Sequence, residues 1–398
     1  MNMLKKKAKA IARKSVIAMY RSLAPLIPVH QDMIVFDSSQ GRNYSGSPRA
    51  VYEEMVSKGL DQEFRCVWFF KKGCRPEHLP GKCEVETYAG AKYLLAMAKA
   101  KYWVFDARNP YFLVKKKNQV YIQTWHGTPL KKLGLDMERV DLPNVKSLED
   151  YHEKILINSR SWDYLVAQNE FSAKIFRRCF GFEGEMLRIG YPRNDVLFRK
   201  NKPEEIEKIK EELGLPKDKK ILLYAPTFRD TQHNEKGEYY FDLALDLDLM
   251  KEKLGNEYIL VTKLHYLVSE KIDFSKYTGF VYPSPTDEIS LLYLIADAMI
   301  TDYSSVMFDY TLLKRPVYFF CYDLEEYGDV LRGFYFDFVK EAPGPIAKTT
   351  AELIENILTE KEKEYTEQKE AFYRKFHEYD HGNASEKVLE IIFSHKNK

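Results

Sequence analysis

Residues 33–70 read MIVFDSSQGRNYSGSPRAVYEEMVSKGLDQEFRCVWFF. An apolar run, Met33–Asp37, ends in a polar turn. Ser47-Pro48 then supplies a helix cap followed by proline at the first helical position, and a second apolar run, Cys66–Phe70, follows the helix. Two strands joined through a helix run parallel, and parallel sheets bury both faces, so their strands read as near-continuous apolar runs. Outward from this unit the pattern recurs at Tyr102–Asp106, Gln119–Gln123, Tyr164–Ala167 and Met186–Ile189. A second series follows at Ile221–Tyr224, Tyr258–Leu264, Phe280–Tyr282, Met299–Thr301 and Val317–Cys321. Strands alternating with helical stretches predict an α/β chain of two doubly wound, Rossmann-like lobes. The lobe boundary falls near Gly190–Asp195. This gives a first lobe over 32–195 and a second over 196–398 with the terminal helices.

Composition agrees. The 398 residues are 45% hydrophobic and 30% charged, as in a folded globular chain, and the net charge of +2 gives no global field that would suit nucleic acid. Five cysteines, at 66, 74, 83, 179 and 321, include no CxxC pair, which suits a reducing compartment. No run of 18 apolar residues is present to span a bilayer.

Residues 1–31 stand apart. They hold Lys5, Lys6, Lys7, Lys9, Arg13, Lys14 and Arg21 with no acidic residue, while Leu4, Ala8, Ile11, Ser15, Met19 and Leu23 recur near helical spacing up to Pro25 and Pro28. A basic amphipathic helix of this kind suits an anionic membrane surface; the plainer reading is a helix docked on its own lobe.

In open parallel sheets, ligands bind beyond the carboxyl ends of the strands. Gln119–Gln123 leads into Thr124-Trp125-His126-Gly127-Thr128-Pro129-Leu130-Lys131-Lys132, placing an imidazole at a strand end where it can take a proton from a hydroxyl. Ile221–Tyr224 leads to Thr227 and Arg229, a hydroxyl and a planar cation that suit phosphate. Tyr258–Leu264 leads to His265. Met299–Thr301 leads to Asp302, Tyr303, Ser304 and Ser305, two hydroxyls at a helix start that converge on one spot; simple capping needs only one of them. Glu288, at another helix start, either meets ribose hydroxyls or complements the helix dipole. The chain contains no GxGxxG after the first strand, no GxxxxGK[ST], no HExxH and no Cys/His cluster, so neither a dinucleotide fold, a P-loop nor a metal site is expected.

These stretches together resemble the CDP-glycerol glycerophosphotransferases of wall teichoic acid synthesis. The resemblance is carried by Ser38–Met55, Gln123–Gly134, Gly190–Asp195, Tyr224–Asp230, Lys263–His265, Thr301–Asp309 and Asp380–Ser385, in that order, and covers about residues 32–393. It implies a GT-B-like pair of lobes facing a cleft, and transfer of glycerol phosphate from CDP-glycerol to a lipid-linked acceptor with release of CMP. It also implies no cofactor and a peripheral place on the cytoplasmic face of the membrane. His126 and His265 are then catalytic-centre residues. Thr227, Arg229, Ser304 and Ser305 meet the CDP-glycerol phosphates, and Asp302, Glu288, Gly127, Thr128, Arg193 and Asn383 are further substrate-facing candidates. The Trp-His-Gly-Thr-Pro form looks more like the polymerase branch than the priming enzymes, and the chain looks like a stand-alone catalytic unit. Other readings share parts of the pattern: a CDP-ribitol ribitolphosphotransferase, a nucleotide-sugar glycosyltransferase or epimerase, and a non-catalytic membrane scaffold. Homo-oligomerisation is left open.

Overall fold

The computed structural model describes residues 14–140, 145–227, 243–264, 272–326 and 333–396. Its first sheet has seven parallel strands: β1 (His30–Asp37), β2 (Arg65–Phe70), β3 (Glu84–Thr87), β4 (Ala100–Phe105), β5 (Val120–Gln123), β6 (Tyr164–Ala167) and β7 (Glu185–Arg188). The second has six: β8 (Lys220–Tyr224), β9 (Tyr258–Thr262), β10 (Val281–Pro283), β11 (Ala298–Thr301), β12 (Val317–Phe320) and β13 (Ile346–Ala347). The strand orders are 3-2-1-4-5-6-7 and 10-9-8-11-12-13. Each order reverses beside its first strand, so the first sheet has its switch point between β1 and β4 and the second between β8 and β11. This is the doubly wound, GT-B-like architecture the sequence predicts.

Side-chain alternation explains why both faces are covered. Along β1, Met33 and Val35 enter one apolar cluster while Ile34 and Phe36 enter another. Along β8, Ile221 and Leu223 face one way, Leu222 and Tyr224 the other. Period two places successive side chains on opposite faces, and helices close both. The helix expected to begin at Ser47-Pro48 begins slightly earlier, at Gly46, and runs to Ser57.

The terminal segment differs from its expected place with the second lobe. The helix Thr366–Phe376 does join that lobe, with Phe372 and Phe376 packed against Phe308. The last helix, Ala384–Lys396, instead crosses back: Val388, Leu389 and Ile392 share the cluster of Ile34, Tyr52 and Trp68. Asp195 fixes the crossing, because its carboxylate accepts from both the Ala384 and Ser385 N–H groups, at 2.9 and 2.8 Å.

Near the amino end, residues 14–23 are helical and docked on the first lobe. Tyr20 and Ala24 pack with Ala98 and Phe112, joined by Ile17 and Ile27. Val16, Met19, Leu23 and Leu26 point outward and are exposed, Leu26 at 77%. Lys14 is exposed on this helix. Lys5, Lys6, Lys7, Lys9 and Arg13 lie outside the described residues. Among the described residues, no helix is long and apolar enough to cross a membrane, and no group of three His, Cys, Asp or Glu side chains has the spacing to hold a metal ion.

Candidate active site

The carboxyl ends of the two sheets face each other, and their loops meet. Gly46, at the first switch point, donates its N–H to Glu288 Oε2 of the second lobe at 2.9 Å. Arg193, after β7, pairs with Asp309 of the second lobe, Nη2 to Oδ2 at 2.7 Å, with both side chains buried. Asn194 Nδ2 donates to the other oxygen of that carboxylate at 3.0 Å. Burial is the main influence on the Asp309 carboxyl and pushes it up, while Arg193 and Asn194 hold it down. A β-carbon added at Gly127 would lie 2.9 Å from Ser305 Oγ and 3.8 Å from Arg193 Nη2. Three of the sequence-predicted residues, Gly127, Arg193 and Ser305, therefore converge beside His126.

His126 follows β5. Its Nδ1 lies 2.8 Å from the Asp106 carbonyl oxygen. A carbonyl can only accept, so in the neutral ring the proton sits on Nδ1 and Nε2 keeps its lone pair. Desolvation between the lobes pushes the imidazole down to about 4; the Asp106 carbonyl pulls it up, and Arg193 and Arg108 add to the downward push. The ring still presents surface to the cleft. A neutral imidazole near pH 7 is what this environment favours. Trp125 stacks on the ring at 4.3 Å between centroids. Trp125 itself has φ of 53°, a left-handed backbone that a bulky residue adopts only where packing enforces it. Its indole is clamped by Trp162, Phe176 and Phe180.

Asp106 was not singled out by the sequence reading, although the strand-end rule points at it. Its buried carboxylate accepts from Ser39 N–H at 2.8 Å and Ser38 Oγ at 3.0 Å, tying the loop after β1 to the loop after β4. Burial raises this carboxyl to about 6, against those hydrogen bonds.

In the second lobe, Thr227 donates both its N–H and its hydroxyl to Asp302 Oδ1, at 2.8 and 2.7 Å. Ser304 and Ser305 are half-buried, and the helix they precede is short, Val306–Tyr310. Ser305 occupies its cap position without a side-chain capping bond, so the capping explanation does not use that hydroxyl. Glu288 is engaged within the protein: Oε1 accepts from the Ser290 N–H and hydroxyl, and Oε2 from Gly46. Thr128 is buried, and its hydroxyl donates to Gln168 Oε1 at 2.6 Å. Asn383 precedes the last helix, with its Oδ1 enclosed and unpaired. Lys131 and Lys132 join a bridge between lobes, in which Lys131 pairs with Phe334 and the Lys132 N–H donates to the Gly333 carbonyl. Arg229 and His265 lie outside the described residues.

The sequence profile described as CDP-Glycerol:Poly(glycerophosphate) glycerophosphotransferase matches residues 19–394. A teichoic acid poly(glycerol phosphate) polymerase of Bacillus spizizenii is 45% identical over 370 residues, 92% of this chain and 93% of the relative. A protein of the same description from Bacillus subtilis is 43% identical over 98% of this chain, which spans 52% of that relative's length. The solved wall teichoic acid polymerase TagF superposes with a TM-score of 0.89 at 39% identity, covering 100% of this chain and 98% of that one.

Proposed function

The chain belongs to the CDP-glycerol:poly(glycerophosphate) glycerophosphotransferase family, and from that premise we propose that it transfers glycerol phosphate from CDP-glycerol to a hydroxyl of a lipid-linked teichoic acid acceptor. The observation that carries the reading is one constellation: an imidazole held at Nδ1, beside a guanidinium of its own lobe that is paired with Asp309 of the other, and met across the cleft by the Ser305 hydroxyl. An alcohol is a poor nucleophile toward an anionic pyrophosphate. Such a site must remove a proton and offset negative charge. In this reading the acceptor hydroxyl attacks the glycerol-bearing phosphorus and its proton passes to His126 Nε2. The new O–P bond forms as the bond to CMP breaks, and CMP leaves as its phosphate anion. Ser304 and Ser305 donate to the phosphates, with Arg193 as the nearby positive charge, while Thr227, expected on the phosphates, spends both its donors on Asp302 and holds the loop beside them. Arg229 and His265 are assigned to the same phosphates on the family resemblance alone. The loops within residues 32–195 receive the acceptor, and those within 196–398 receive CDP-glycerol.

Glycerol is preferred to ribitol as the donor polyol because the relatives above are named for poly(glycerol phosphate). The test is incubation with CDP-glycerol, CDP-ribitol and a short lipid-linked acceptor, followed by mass analysis. Growth of the acceptor by glycerol phosphate units with matching CMP supports the reading. Absence of transfer, or transfer of ribitol phosphate alone, overturns it.

We also propose a peripheral position on the cytoplasmic face of the membrane. The support is the outward stripe Val16, Met19, Leu23 and Leu26 beside the basic amino-terminal residues. Each basic residue near an anionic leaflet contributes about 1 kcal/mol, so a few hold a protein reversibly. Met19→Ser with Leu23→Ser should reduce co-sedimentation with anionic vesicles and leave the inner face seated; unchanged pelleting would move the contact elsewhere.

A further inference from the structure

We propose that Asp380 is a positioning residue that sets two substrate-facing loops, and through them His126; the proposal rests on the transfer reading above. Asp380 is buried and does not belong to the constellation around His126. Its bonds nonetheless run to two of the loops that do. Asp380 Oδ2 accepts from Gln168 Nε2 at 2.7 Å, and Gln168 Oε1 accepts from the Thr128 hydroxyl at 2.6 Å, two residues past His126. Asp380 Oδ1 accepts from the Tyr191 N–H at 3.2 Å, two residues before Arg193.

The chemistry requires a carboxylate at the centre. Two oxygens with about four lone pairs can accept from several directions at once, whereas an amide at the same place turns a donor toward one of its donor neighbours. The fit is close as well. Gly190 has φ of +79°, and a β-carbon there would lie 2.7 Å from Asp380 Oδ1, so the loop that carries Arg193 reaches this carboxylate only as glycine. Gln168 is fully buried and has one donor and one acceptor end, so its orientation is fixed by Asp380 and in turn fixes Thr128. A loop displaced by an ångström misaligns a base without removing it, at a cost of up to ~10²-fold in rate.

The test exchanges the two ends of the Gln168–Asp380 bond. Asp380→Asn sets an amide donor against the Gln168 or Tyr191 donors, and Gln168→Glu sets two carboxylates together. In the double variant the new amide donates to the new carboxylate, which still accepts from Thr128, while the amide oxygen still accepts from Tyr191. We expect each single variant to lose ~10- to 10²-fold in kcat with the KM for CDP-glycerol little changed, and the double variant to regain most of the loss. The second readout is the ring NMR signal of His126, assigned by its absence in His126→Ala. It should shift in each single variant and return in the double variant. Singles with wild-type kcat and an unmoved His126 signal overturn the proposal, as does a double variant no better than the worse single. If a single variant does not fold, a folded double variant with the wild-type His126 signal supports the hub, and one that also fails to fold overturns it. If the wild-type chain transfers no glycerol phosphate, the functional reading fails, and the NMR arms alone decide the positioning.

Discussion

At the switch point of the first sheet, Asp106 accepts from the Ser39 N–H and the Ser38 hydroxyl; at that of the second, Asp302 accepts from the Thr227 N–H and hydroxyl. Each aspartate follows the strand on one side of the reversal, and each donor follows the strand on the other. The same staple therefore closes both crevices. What the staples hold differs. Asp106 turns its own carbonyl to Nδ1 of an imidazole, whereas Asp302 is followed by two half-buried serines, of which Ser305 approaches Gly127. The fold supplies one framework twice, and in the proposed transfer the residues next to the staple divide proton transfer from phosphate binding.

The largest effect should come from emptying the first crevice of its base. His126→Ala should lower CMP release by about 10²–10⁴-fold while calorimetry still registers CDP-glycerol binding, because a positioned general base contributes on that order. Near-wild-type turnover in a folded variant would remove the chemistry from this lobe. Gly127→Ala probes the seam between the crevices. Its methyl would meet Ser305 Oγ at 2.9 Å, and the resulting displacement should cost up to ~10²-fold in kcat. Unchanged kcat would mean the loops do not close this tightly during turnover. Ser304→Ala with Ser305→Ala should act on affinity instead. Two neutral hydrogen bonds at about 1 kcal/mol each predict roughly thirtyfold weakening for CDP-glycerol and CMP. Titrations identical to wild type would strip the second crevice of its assigned role.

The smallest expected change is in the pH profile, and it sharpens the comparison most. Low pH protonates the base, so kcat/KM must fall on the acid side. With the His126 imidazole pushed down to about 4 and the Asp106 carboxyl up to about 6, the profile of an Asp106→Asn variant, which removes the second titration, should stay flat through ~6.5 and fall only as pH approaches 4. An acid limb centred near 6.5 would mean an ordinary imidazole, hydrated during turnover.

Most of the sheet framework was legible because strands covered on both faces read as apolar runs. The two strands that escaped, β3 and β13, lie at sheet edges. β3 reads Glu-Val-Glu-Thr with no fully buried residue, and β13 has two residues, so neither leaves a run to find. The strand-end rule pointed to His126, Ser304, Ser305 and Thr227, all from strand ends, of which Thr227 is engaged with Asp302. It could not give the Arg193–Asp309 pair or the Gly46–Glu288 bond, whose members are 116 and 242 residues apart and meet only when two lobes close. Nor could it tell that Thr128 and Glu288 would be engaged inside the protein rather than left to a ligand, since a hydroxyl or carboxylate beside a cleft looks the same in sequence either way.

The helix over residues 14–23 is bolted to the first lobe by Tyr20 and Ala24, and Lys116 Nζ donates to the Ile27 carbonyl just beyond it at 2.5 Å. A segment seated this way is a rigid mount, not a tether. If its outer stripe rests on a lipid surface, the tilt of the first sheet and the height of His126 above that surface are set together, with no linker to let either vary. The reach of the site would then be fixed, and it is the acceptor, not the protein, that must bend to bring its hydroxyl to the cleft.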